Sequence, residues 1–433
     1  MANISRPRVV IIGAGFGGLT AARKLGSTET DAILIDKENH HLFQPLLYQV
    51  ATAALSPRDI ASPIRAILKE HKNVHVVMDT VESVNLQAGT VCLARGEQIS
   101  YDYLIMAPGA RQSYFGHDEW EQFAPGLKTL SDALEIREKV LLSFELAEQV
   151  YGTPEAEQHL TFVIVGGGPT GVELAGSIAE IALNSILPEF PIIKKQDVHV
   201  NLIEAGERLL SMYPKELSDR AFYDLQELGA DVFLKTSVTA MDEKSVTAGD
   251  KVFKTTNVIW AAGNSASPLL KTLGVEQDKA GRVIVARDCS IPNRPNVFVI
   301  GDAAAFKDES GAMLPGVAQV AMQQADYVAD VILKEIAPQN RKTFYYNDRG
   351  SLATIGRAKA VGVIKGRSVQ GFLAWFIWAV IHVWALIGFR SRLRLFAEWM
   401  WYYITFQPGA RLIVYKNVKG KIDKMLRRKT MDF

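Results

Sequence analysis

Three closely spaced glycines near the start of the chain form a pattern that brings a backbone close to phosphate groups. Gly13, Gly15 and Gly18 make G-x-G-x-x-G directly after the apolar run 9–12. Gly13 permits a tight turn, Gly15 lets the backbone approach a pyrophosphate, and Gly18 lets the following helix pack on the strand. Asp36 ends the next apolar run, 23 residues beyond Gly13, where an acid can bind ribose hydroxyls. The pattern predicts a strand–turn–helix–strand unit that binds a dinucleotide.

The same pattern recurs in the middle of the chain. Gly166, Gly168 and Gly171 follow the apolar run 161–165, and Glu204 ends a later strand-like run. Glu204 lies 38 residues after Gly166, a longer spacing than usual, which indicates an insertion before the second strand. An acid at this place favours a free ribose 2′-hydroxyl, and therefore NADH over NADPH. Two such units in one chain predict two dinucleotides.

A third segment distinguishes the two dinucleotides. A strand-like run over 296–300 ends in Gly301-Asp302. This segment resembles the Gly-Asp motif of flavoproteins with two dinucleotide-binding domains, in which the aspartate holds the ribityl chain of FAD. The segments 101–110 and 257–266 resemble the paired linkers of the same proteins. The resemblance implies that the first glycine motif binds FAD and the second binds NADH.

The order of these segments predicts an α/β fold with two Rossmann-like dinucleotide-binding domains and a C-terminal helical segment that anchors the chain to a membrane. The FAD domain is discontinuous: it opens the chain, is interrupted by the NADH domain, and resumes near Arg282. The predicted divisions are 1–125 and 282–340 for the FAD domain, 126–281 for the NADH domain and 341–433 for the membrane-associated region.

Two further segments, 39–65 and 315–329, closely resemble the type II NADH dehydrogenases, which are single-subunit, non-proton-pumping NADH:quinone oxidoreductases. The second segment contains their quinone motif A-Q-x-A-x-Q, which begins at Ala318 and includes Gln319 and Gln323. From spacing alone the two glutamines share one helix face, and a solvated polar face is the simpler interpretation. The resemblance instead implies that they line a quinone site. It also implies that the helix start lies near the flavin pyrimidine, where it favours an anionic reduced ring.

Glu173 lies two residues after Gly171, and this spacing predicts a position in the first turn of the helix that follows the second motif. An acid there stabilises the helix through its dipole, whether or not it has another role. The resemblance implies that Glu173 faces the nicotinamide–flavin region and acts in catalysis or substrate positioning. Lys37 is interpreted either as a contact of the FAD adenosine or as an exposed lysine. The cofactor contacts that the resemblance implies, besides the two motifs, are Phe16, Gly17, Lys37, Gln44, Val81, Gly109, Gly263, Ala318 and Gln319.

These residues predict a reaction in two steps. NADH passes a hydride to FAD, and the reduced flavin passes two electrons to a membrane quinone, without proton pumping. Two alternatives remain: a soluble reductase that passes electrons to a protein such as a ferredoxin, and a flavoprotein in which NADH binding acts as a sensor. Neither alternative needs a lipid-facing segment, so the C-terminal region argues against both.

The overall composition is that of a globular protein. The 433 residues are 48% hydrophobic and 22% charged, which excludes a disordered or collagen-like chain. The two cysteines, Cys92 and Cys289, are far apart, and neither belongs to a Cys-x-x-Cys motif. We therefore expect two reduced, buried thiols and no metal site, which separates the chain from disulfide reductases and sulfide:quinone reductases.

The C-terminal region combines an apolar segment with positive charge. Residues 371–389 contain no charged side chain and one ionisable group, His382, and five of the seven tryptophans lie between 375 and 401. From residue 390 onward, 11 Lys or Arg stand against 3 acids, a net of +8. The remaining 37 basic and 44 acidic residues then give −7. Aromatic and basic residues together favour a lipid headgroup boundary.

We expect this segment to form a pair of helices lying on the membrane rather than a span. Both of its flanks are basic, and tryptophans run along its length instead of clustering at its ends. His382 is interpreted as structural rather than as a proton donor. The basic residues within 416–429 are expected to bind anionic lipid and not nucleic acid. Since no signal peptide is recognisable, the expected location is the cytoplasmic face of a bacterial inner membrane; a homodimer stays open.

Overall fold

The computed structural model describes residues 6–405 and 409–413. Its N-terminal part builds a parallel sheet, two small antiparallel sheets and four α-helices. The elements are β1 (Arg8–Ile12), α1 (Phe16–Leu25), β2 (Asp31–Asp36), β3 (His40–Leu42), α2 (Leu47–Ala51), α3 (Pro57–Ile60), β4 (Ala61–Pro63), α4 (Ile64–Ile67), β5 (Val74–Met78), β6 (Val81–Asn85), β7 (Thr90–Leu93), β8 (Gln98–Ser100), β9 (Tyr103–Met106) and β10 (Ala110–Gln112).

The middle of the chain builds a second parallel sheet with its own helices and a small antiparallel sheet. Its elements are α5 (Leu130–Gln149), α6 (Pro154–Leu160), β11 (Thr161–Val165), α7 (Pro169–Glu180), β12 (His199–Ile203), α8 (Lys215–Leu228), β13 (Ala230–Phe233), β14 (Val238–Met241), β15 (Ser245–Ala248), β16 (Lys251–Lys254), β17 (Asn257–Trp260) and β18 (Asn264–Ala266).

The last part returns to the first sheet and then adds a three-stranded sheet and two helices. Its elements are β19 (Val283–Ile284), β20 (Ser290–Ile291), β21 (Arg294–Val299), β22 (Ala304–Ala305), α9 (Ala318–Leu333), β23 (Ser351–Gly356), β24 (Lys359–Ile364), β25 (Arg367–Gln370), α10 (Gly371–Ala385) and α11 (Phe389–Thr405).

The first sheet has the strand order β20-β21-β9-β1-β2-β5, with parallel pairing throughout except for the edge strand β20. Val9, Val10 and Ile11 are fully buried, as expected for a central parallel strand covered on both faces. Strand β21 pairs with β9 through Val297 and Leu104, although the whole second sheet separates them in sequence. The chain therefore leaves the first sheet and comes back to it.

The second sheet is parallel, in the order β13-β12-β11-β17. Strands β10 and β18 form an antiparallel pair, with Ala110 opposite Ala266, at the two segments that resemble paired linkers. The predicted α/β architecture with two parallel sheets is confirmed. The predicted run 296–300 is shifted, since the strand covers Arg294–Val299. The divisions at 125, 281 and 340 stay predictions.

The long gap before Glu204 is filled by irregular helix. A π-helical turn, Ile181–Ile186, continues α7, and short 3-10 turns follow at Leu187–Glu189 and Lys195–Asp197. Strand β12 then ends directly before Glu204. The insertion predicted from the spacing therefore lengthens the connection without moving the acid from the end of its strand.

The apolar segment 371–389 is not one continuous helix. Helix α10 ends at Ala385, and the chain turns through Leu386 and Gly388, whose φ of +84° is unfavourable for other residues, before α11 begins at Phe389. Among the described residues, no helix is both long enough and apolar enough to cross a membrane. The structure thus contains the expected pair of helices.

Helix α7 crosses β23 so closely at Gly176 that no side chain fits there. A Cβ on Gly176 would overlap the carbonyl oxygen of Ile355. Alanine normally favours a helix interior over glycine by about 1 kcal/mol. Here we expect Gly176→Ala to lower the free energy of unfolding by about 1–3 kcal/mol, because the helix must move away from the strand. Ser177→Ala, at the neighbouring half-buried position, should change it by less than about 0.5 kcal/mol in the same urea titration. Equal effects of the two variants would contradict the close contact.

Candidate functional site

The first glycine motif forms a loop that only glycine can build. Gly13 has a φ of +93°, and a Cβ on it would overlap the carbonyl oxygen of Ala107 at the end of β9. A Cβ on Gly18 would overlap the carbonyl oxygen of Gly13. Gly15, the N-cap of α1, has open space around it. The N-terminus of α1 is therefore exposed toward a space that suits a pyrophosphate.

The second motif repeats this construction after β11. Gly166 has a φ of +111°, and a Cβ on Gly171 would overlap the carbonyl oxygen of Gly166. Gly168 is the N-cap of α7, and no atom lies near the position of its missing Cβ. Both motifs thus present a free helix N-terminus next to a tight turn, which is the geometry that binds a dinucleotide.

An acid at the end of the second strand closes each loop. Asp36 accepts hydrogen bonds from the backbone amides of Ala14, at 2.5 Å, and Glu38, at 2.8 Å. Glu204 accepts them from the amides of Gly167 and Gly206. Each carboxylate therefore lies beside its glycine loop, as required of a group that binds a ribose.

Gly301-Asp302 lines a cavity of about 260 Å³. Burial raises the pKa of Asp302, an effect that the positive charges of Lys128 and Arg282 oppose. Gly316 lies directly beside the carboxylate, since a Cβ there would be 3.2 Å from Asp302 Oδ1. A partly buried acid, a cation and a close backbone approach suit a polar chain such as the ribityl group, so these residues fit FAD. Sequence reasoning missed Lys128, because nothing in its local pattern connects it with a residue 174 positions later.

Three segments distant in sequence meet behind the first motif. A Cβ on Gly17 would lie 3.1 Å from Ile300 Cδ1 and 3.3 Å from the carbonyl oxygen of Ala321, and one on Gly301 would lie 3.0 Å from Ala321 Cβ. Helix α1, the Gly-Asp motif and α9 therefore pack directly against one another, and the Gly-Asp motif and α9 line the cavity beside this contact. Ala318 is the first residue of α9, as expected from the quinone motif.

The two glutamines of α9 contact the segment that leads into β23. Gln319 donates through Nε2 to the Gly350 carbonyl at 3.2 Å, while its buried Oε1 has no hydrogen-bond partner among the described residues. Gln323 donates to the Asn347 carbonyl at 3.1 Å and accepts from the Asn347 amide at 3.0 Å. Gln323 therefore holds a loop through two hydrogen bonds, and Gln319 keeps a buried oxygen whose capacity to accept a hydrogen bond is unused among the described residues.

Glu173 is the fifth residue of α7, so the prediction of a first-turn position is wrong. The helix begins at Pro169, directly after the Gly168 N-cap, whereas the prediction counted from the last glycine of the motif. Burial raises the pKa of Glu173 to about 8, and the nearby backbone of Thr354 moderates that rise. Dipole stabilisation falls off within the first turn, so it does not account for an acid at this position.

The remaining predicted contacts are spread over the surroundings of the first motif. Phe16 stacks edge-on against His41, with ring centroids 5.2 Å apart. Gly109 and Gly263 have φ values of +69° and +72°, which their linker turns require. Lys37 and Gln44 are exposed, and Val81 begins β6. The roles of all these residues as ligands stay predictions.

The apolar hairpin of α10 and α11 divides its aromatic residues between inside and outside. Trp378 and Trp399 are buried and stacked, with centroids 5.4 Å apart. His382 stacks on Trp378, and burial lowers its pKa to about 4, so it is neutral at physiological pH. The interpretation of His382 as structural fits these contacts. Of the two cysteines, Cys289 is buried as expected but Cys92 is only half-buried.

The outer face of the hairpin is apolar and exposed. Residues Trp384 and Phe389 are 74% and 79% exposed, far above the usual value for such side chains. We call the whole set the hairpin surface; it consists of Phe372, Leu373, Phe376, Val380, Ile381, Trp384, Phe389, Leu393, Phe396, Met400, Trp401 and Ile404. The exposed Lys365, Arg367 and Arg390 border it in sequence. The predicted lipid-binding residues 416–429 lie outside the described residues.

The raised pKa of Glu173 predicts a pH-dependent cost in stability. The unfolded carboxyl titrates near pH 4.3, as an approximate reference. Between that pH and about 8 the unfolded chain loses the proton while the folded chain keeps it, so stability falls as pH rises through this window and the loss is complete above it. We expect Glu173→Gln to raise the free energy of unfolding by about 2–4 kcal/mol at pH 8.5 and to change it little at pH 4.5. Urea unfolding at both pH values tests this, with the exposed Glu216→Gln as control; a gain independent of pH would refute it.

Two glycine loops on two parallel sheets, joined by paired linkers and completed by a Gly-Asp motif, define an oxidoreductase with two dinucleotide-binding domains. Residues 7–325 match the pyridine nucleotide-disulphide oxidoreductase family. Two type II NADH:quinone oxidoreductases of Mycobacterium tuberculosis are each 43% identical to this chain. The first aligns over 93% of this chain and 89% of its own length, the second over 94% and 88%. A solved structure of NDH2 from Plasmodium falciparum in complex with NADH superposes with a TM-score of 0.86 over 95% of this chain and 100% of that one; at 21% identity this likeness supports the fold alone.

The chain therefore belongs to the type II NADH:quinone oxidoreductases. The family expected from residues 39–65 and 315–329 is confirmed. The absence of a Cys-x-x-Cys motif shows that the chain shares the fold of the disulphide oxidoreductases without a vicinal dithiol of that kind.

Proposed function

We propose that this chain oxidises NADH and reduces a quinone, and that bound FAD links the two half-reactions. The observation that carries the proposal is the close packing of α1, Gly301-Asp302 and the start of α9 beside the cavity that Asp302 lines, with Glu173 on the helix of the second glycine motif. FAD, when bound, supplies an acceptor for hydride and a donor of two electrons.

The residues of the chain divide the work of binding. The loop of Gly13 to Gly18 and Asp36 hold the adenosine pyrophosphate of FAD, and Asp302 holds its ribityl chain. The loop that begins at Gly166, together with Glu204, holds NADH. Orienting the two dinucleotides toward each other is the main contribution of the protein to hydride transfer. The N-terminus of α9 would favour negative charge on a group bound beside Ala318.

Glu173 and Gln319 serve the quinone. At neutral pH Glu173 keeps its proton, because burial holds its pKa near 8, and a quinone needs protons when it accepts electrons. Gln319 is fixed through its bond to the Gly350 carbonyl and presents the unsatisfied Oε1. Gln323 acts through the Asn347 loop that it holds, which makes it a positioning residue.

The hairpin surface attaches the protein to the cytoplasmic face of a membrane. Apolar side chains this exposed gain free energy by entering the headgroup boundary, and the exposed Lys365, Arg367 and Arg390 favour anionic lipid. The hairpin packs on the segment that contains α2 and α3, next to the first glycine domain. The Trp399–Gln49 hydrogen bond places the hairpin against α2, which in turn contacts α7, the helix that carries Glu173.

Anaerobic stopped flow tests the function directly. We expect NADH to bleach the flavin absorbance at 1:1 stoichiometry and a short-chain benzoquinone, added second, to restore it. Purified protein without a flavin spectrum, or with NADH reduction but no reoxidation by quinone, would refute the proposal. Reoxidation by a ferredoxin but not by quinone would establish the soluble-reductase alternative.

A further inference from the structure

A buried chain of hydrogen bonds connects the C-terminal helix α11 to the surroundings of Glu173. The indole Nε1 of Trp399 donates to Gln49 Oε1 at 2.8 Å, Gln49 Nε2 donates to the Tyr48 hydroxyl at 2.9 Å, and that hydroxyl lies 2.9 Å from Thr354 Oγ1. Thr354 precedes Ile355, whose carbonyl lies against Gly176 of α7, and its backbone is close enough to the Glu173 carboxyl to lower the pKa of that group. None of the four residues of the chain is more than 8% exposed.

The order of donors and acceptors in this chain is fixed from the Trp399 end as far as the Tyr48 hydroxyl. An indole N–H can only donate, so the amide oxygen of Gln49 must face Trp399. The amide nitrogen of Gln49 therefore faces Tyr48 and uses the hydroxyl oxygen as acceptor. At the last link, either the Tyr48 or the Thr354 hydroxyl can donate to the other. Each link depends on the previous one, and removal of the indole N–H leaves the Gln49 oxygen buried without its partner.

The chain joins elements that are distant in sequence. Tyr48 and Gln49 lie on α2, Thr354 on β23, Trp399 on α11 and Glu173 on α7. The closeness of α7 and β23 at Gly176 keeps Thr354 within reach of Glu173. On the outer side, Arg394 of α11 lies 3.8 Å from the buried carboxylate of Asp59.

We propose that four positioning residues hold the Glu173 carboxyl for quinone reduction: Trp399, Gln49, Tyr48 and Thr354. The rate of this half-reaction then depends on how α11 packs against α2. The inference rests on the proposed function, since it concerns the quinone half-reaction. The titratable groups that face Glu173 are Tyr48 and Tyr213, both with pKa values raised by burial, so neither is ionised near neutral pH. The quantity that the chain controls is thus the geometry and protonation of Glu173.

The test compares two tryptophans of the same hairpin. Trp399→Phe removes the first donor of the chain and keeps an aromatic ring against Trp378. Trp375→Phe is the matched control, because the Trp375 indole also donates one bond, to the Tyr403 hydroxyl at 2.9 Å, outside the chain. For each full-length holoenzyme, the rate with a short-chain benzoquinone is divided by the rate with ferricyanide. We expect Trp399→Phe and Tyr48→Phe to lower this ratio about three- to tenfold, as for the loss of one buried hydrogen bond, and Trp375→Phe to leave it within about twofold.

Three further readouts separate positioning from general loosening. The double variant Trp399→Phe/Tyr48→Phe should be no worse than Tyr48→Phe alone, because the chain is already broken. Thr354→Ser should retain the wild-type ratio and Thr354→Val should match Tyr48→Phe. Movement of the Thr354 backbone away from Glu173 disfavours the ionised carboxyl, so the pH profile with quinone should shift to higher pH in the broken-chain variants. Equal ratios for Trp399→Phe and Trp375→Phe, or additive effects in the double variant, would overturn the inference. Wild-type protein that reduces no quinone would overturn the proposed function instead.

Discussion

We expect Gly18→Ala to yield protein without flavin and Gly171→Ala to yield protein that keeps flavin but is reduced slowly by NADH. The two substitutions add the same atom at equivalent places, because each Cβ would overlap the carbonyl oxygen of the first glycine of its own motif. Either overlap forces the helix away from the strand and removes the loop from its binding geometry. The two variants are expected to differ because the loop that contains Gly18 holds FAD, whereas the loop that contains Gly171 holds NADH.

Displacements of about 1 Å at a binding loop reduce rates on the order of 100-fold, so we expect at least this loss in the rate of flavin reduction by NADH in Gly171→Ala. Reduction of the same variant by dithionite and its reoxidation by quinone should remain near wild type. For both variants, the visible spectrum gives the flavin content and the circular dichroism spectrum shows whether the protein is folded. Retention of flavin in Gly18→Ala together with its loss in Gly171→Ala would reverse the assignment of the two loops.

The binding loops were predictable because their signals are local. Gly13 lies in the turn before α1 and Gly18 lies in the first turn of that helix. Asp36 follows at a spacing that is set by the length of one helix and one strand. Hydrophobic runs then give the parallel strands on either side. The same reasoning misjudged Glu173 by one turn, since the helix start depends on the N-cap at Gly168 rather than on the last glycine.

The quinone side was predicted only in part because its contacts are distant in sequence. Tyr48 and Thr354 are 306 residues apart, and Gln49 and Trp399 are 350 apart, so no periodicity or spacing connects them. Composition grouped the tryptophans of the tail as one aromatic belt. Packing separates them: Trp378 and Trp399 are buried, whereas Trp384 is exposed. A count of residue types cannot distinguish an internal aromatic contact from a lipid-facing one.

Exposure identifies the side chains whose replacement should release the protein from lipid. Phe376 on α10 and Phe396 on α11 are 52% and 55% exposed on the hairpin surface. Burial of a phenylalanine contributes about 1.5–3 kcal/mol, and a glutamate at the same place is in addition repelled by anionic lipid. We therefore expect the double variant Phe376→Glu/Phe396→Glu to weaken binding to phosphatidylglycerol vesicles by about 100-fold or more, measured by cosedimentation.

The control is Tyr223→Glu, which places one glutamate on a 67% exposed aromatic position of α8, away from the hairpin in sequence, and is compared with each single variant as well as with the double variant. It should bind vesicles as wild type does. Because the double variant changes only the outer face, Trp378 and Trp399 keep their stacking, and the rate with a soluble short-chain quinone should be retained. The rate with a long-chain quinone embedded in the vesicles should fall in proportion to the fraction of protein that is bound to vesicles.

Undiminished vesicle binding of the double variant, or an equal loss of vesicle binding in Tyr223→Glu, would mean that the hairpin surface does not contact lipid. If the wild type instead does not bind vesicles and forms dimers that the double variant cannot form, the hairpin surface is a contact between two copies of the chain.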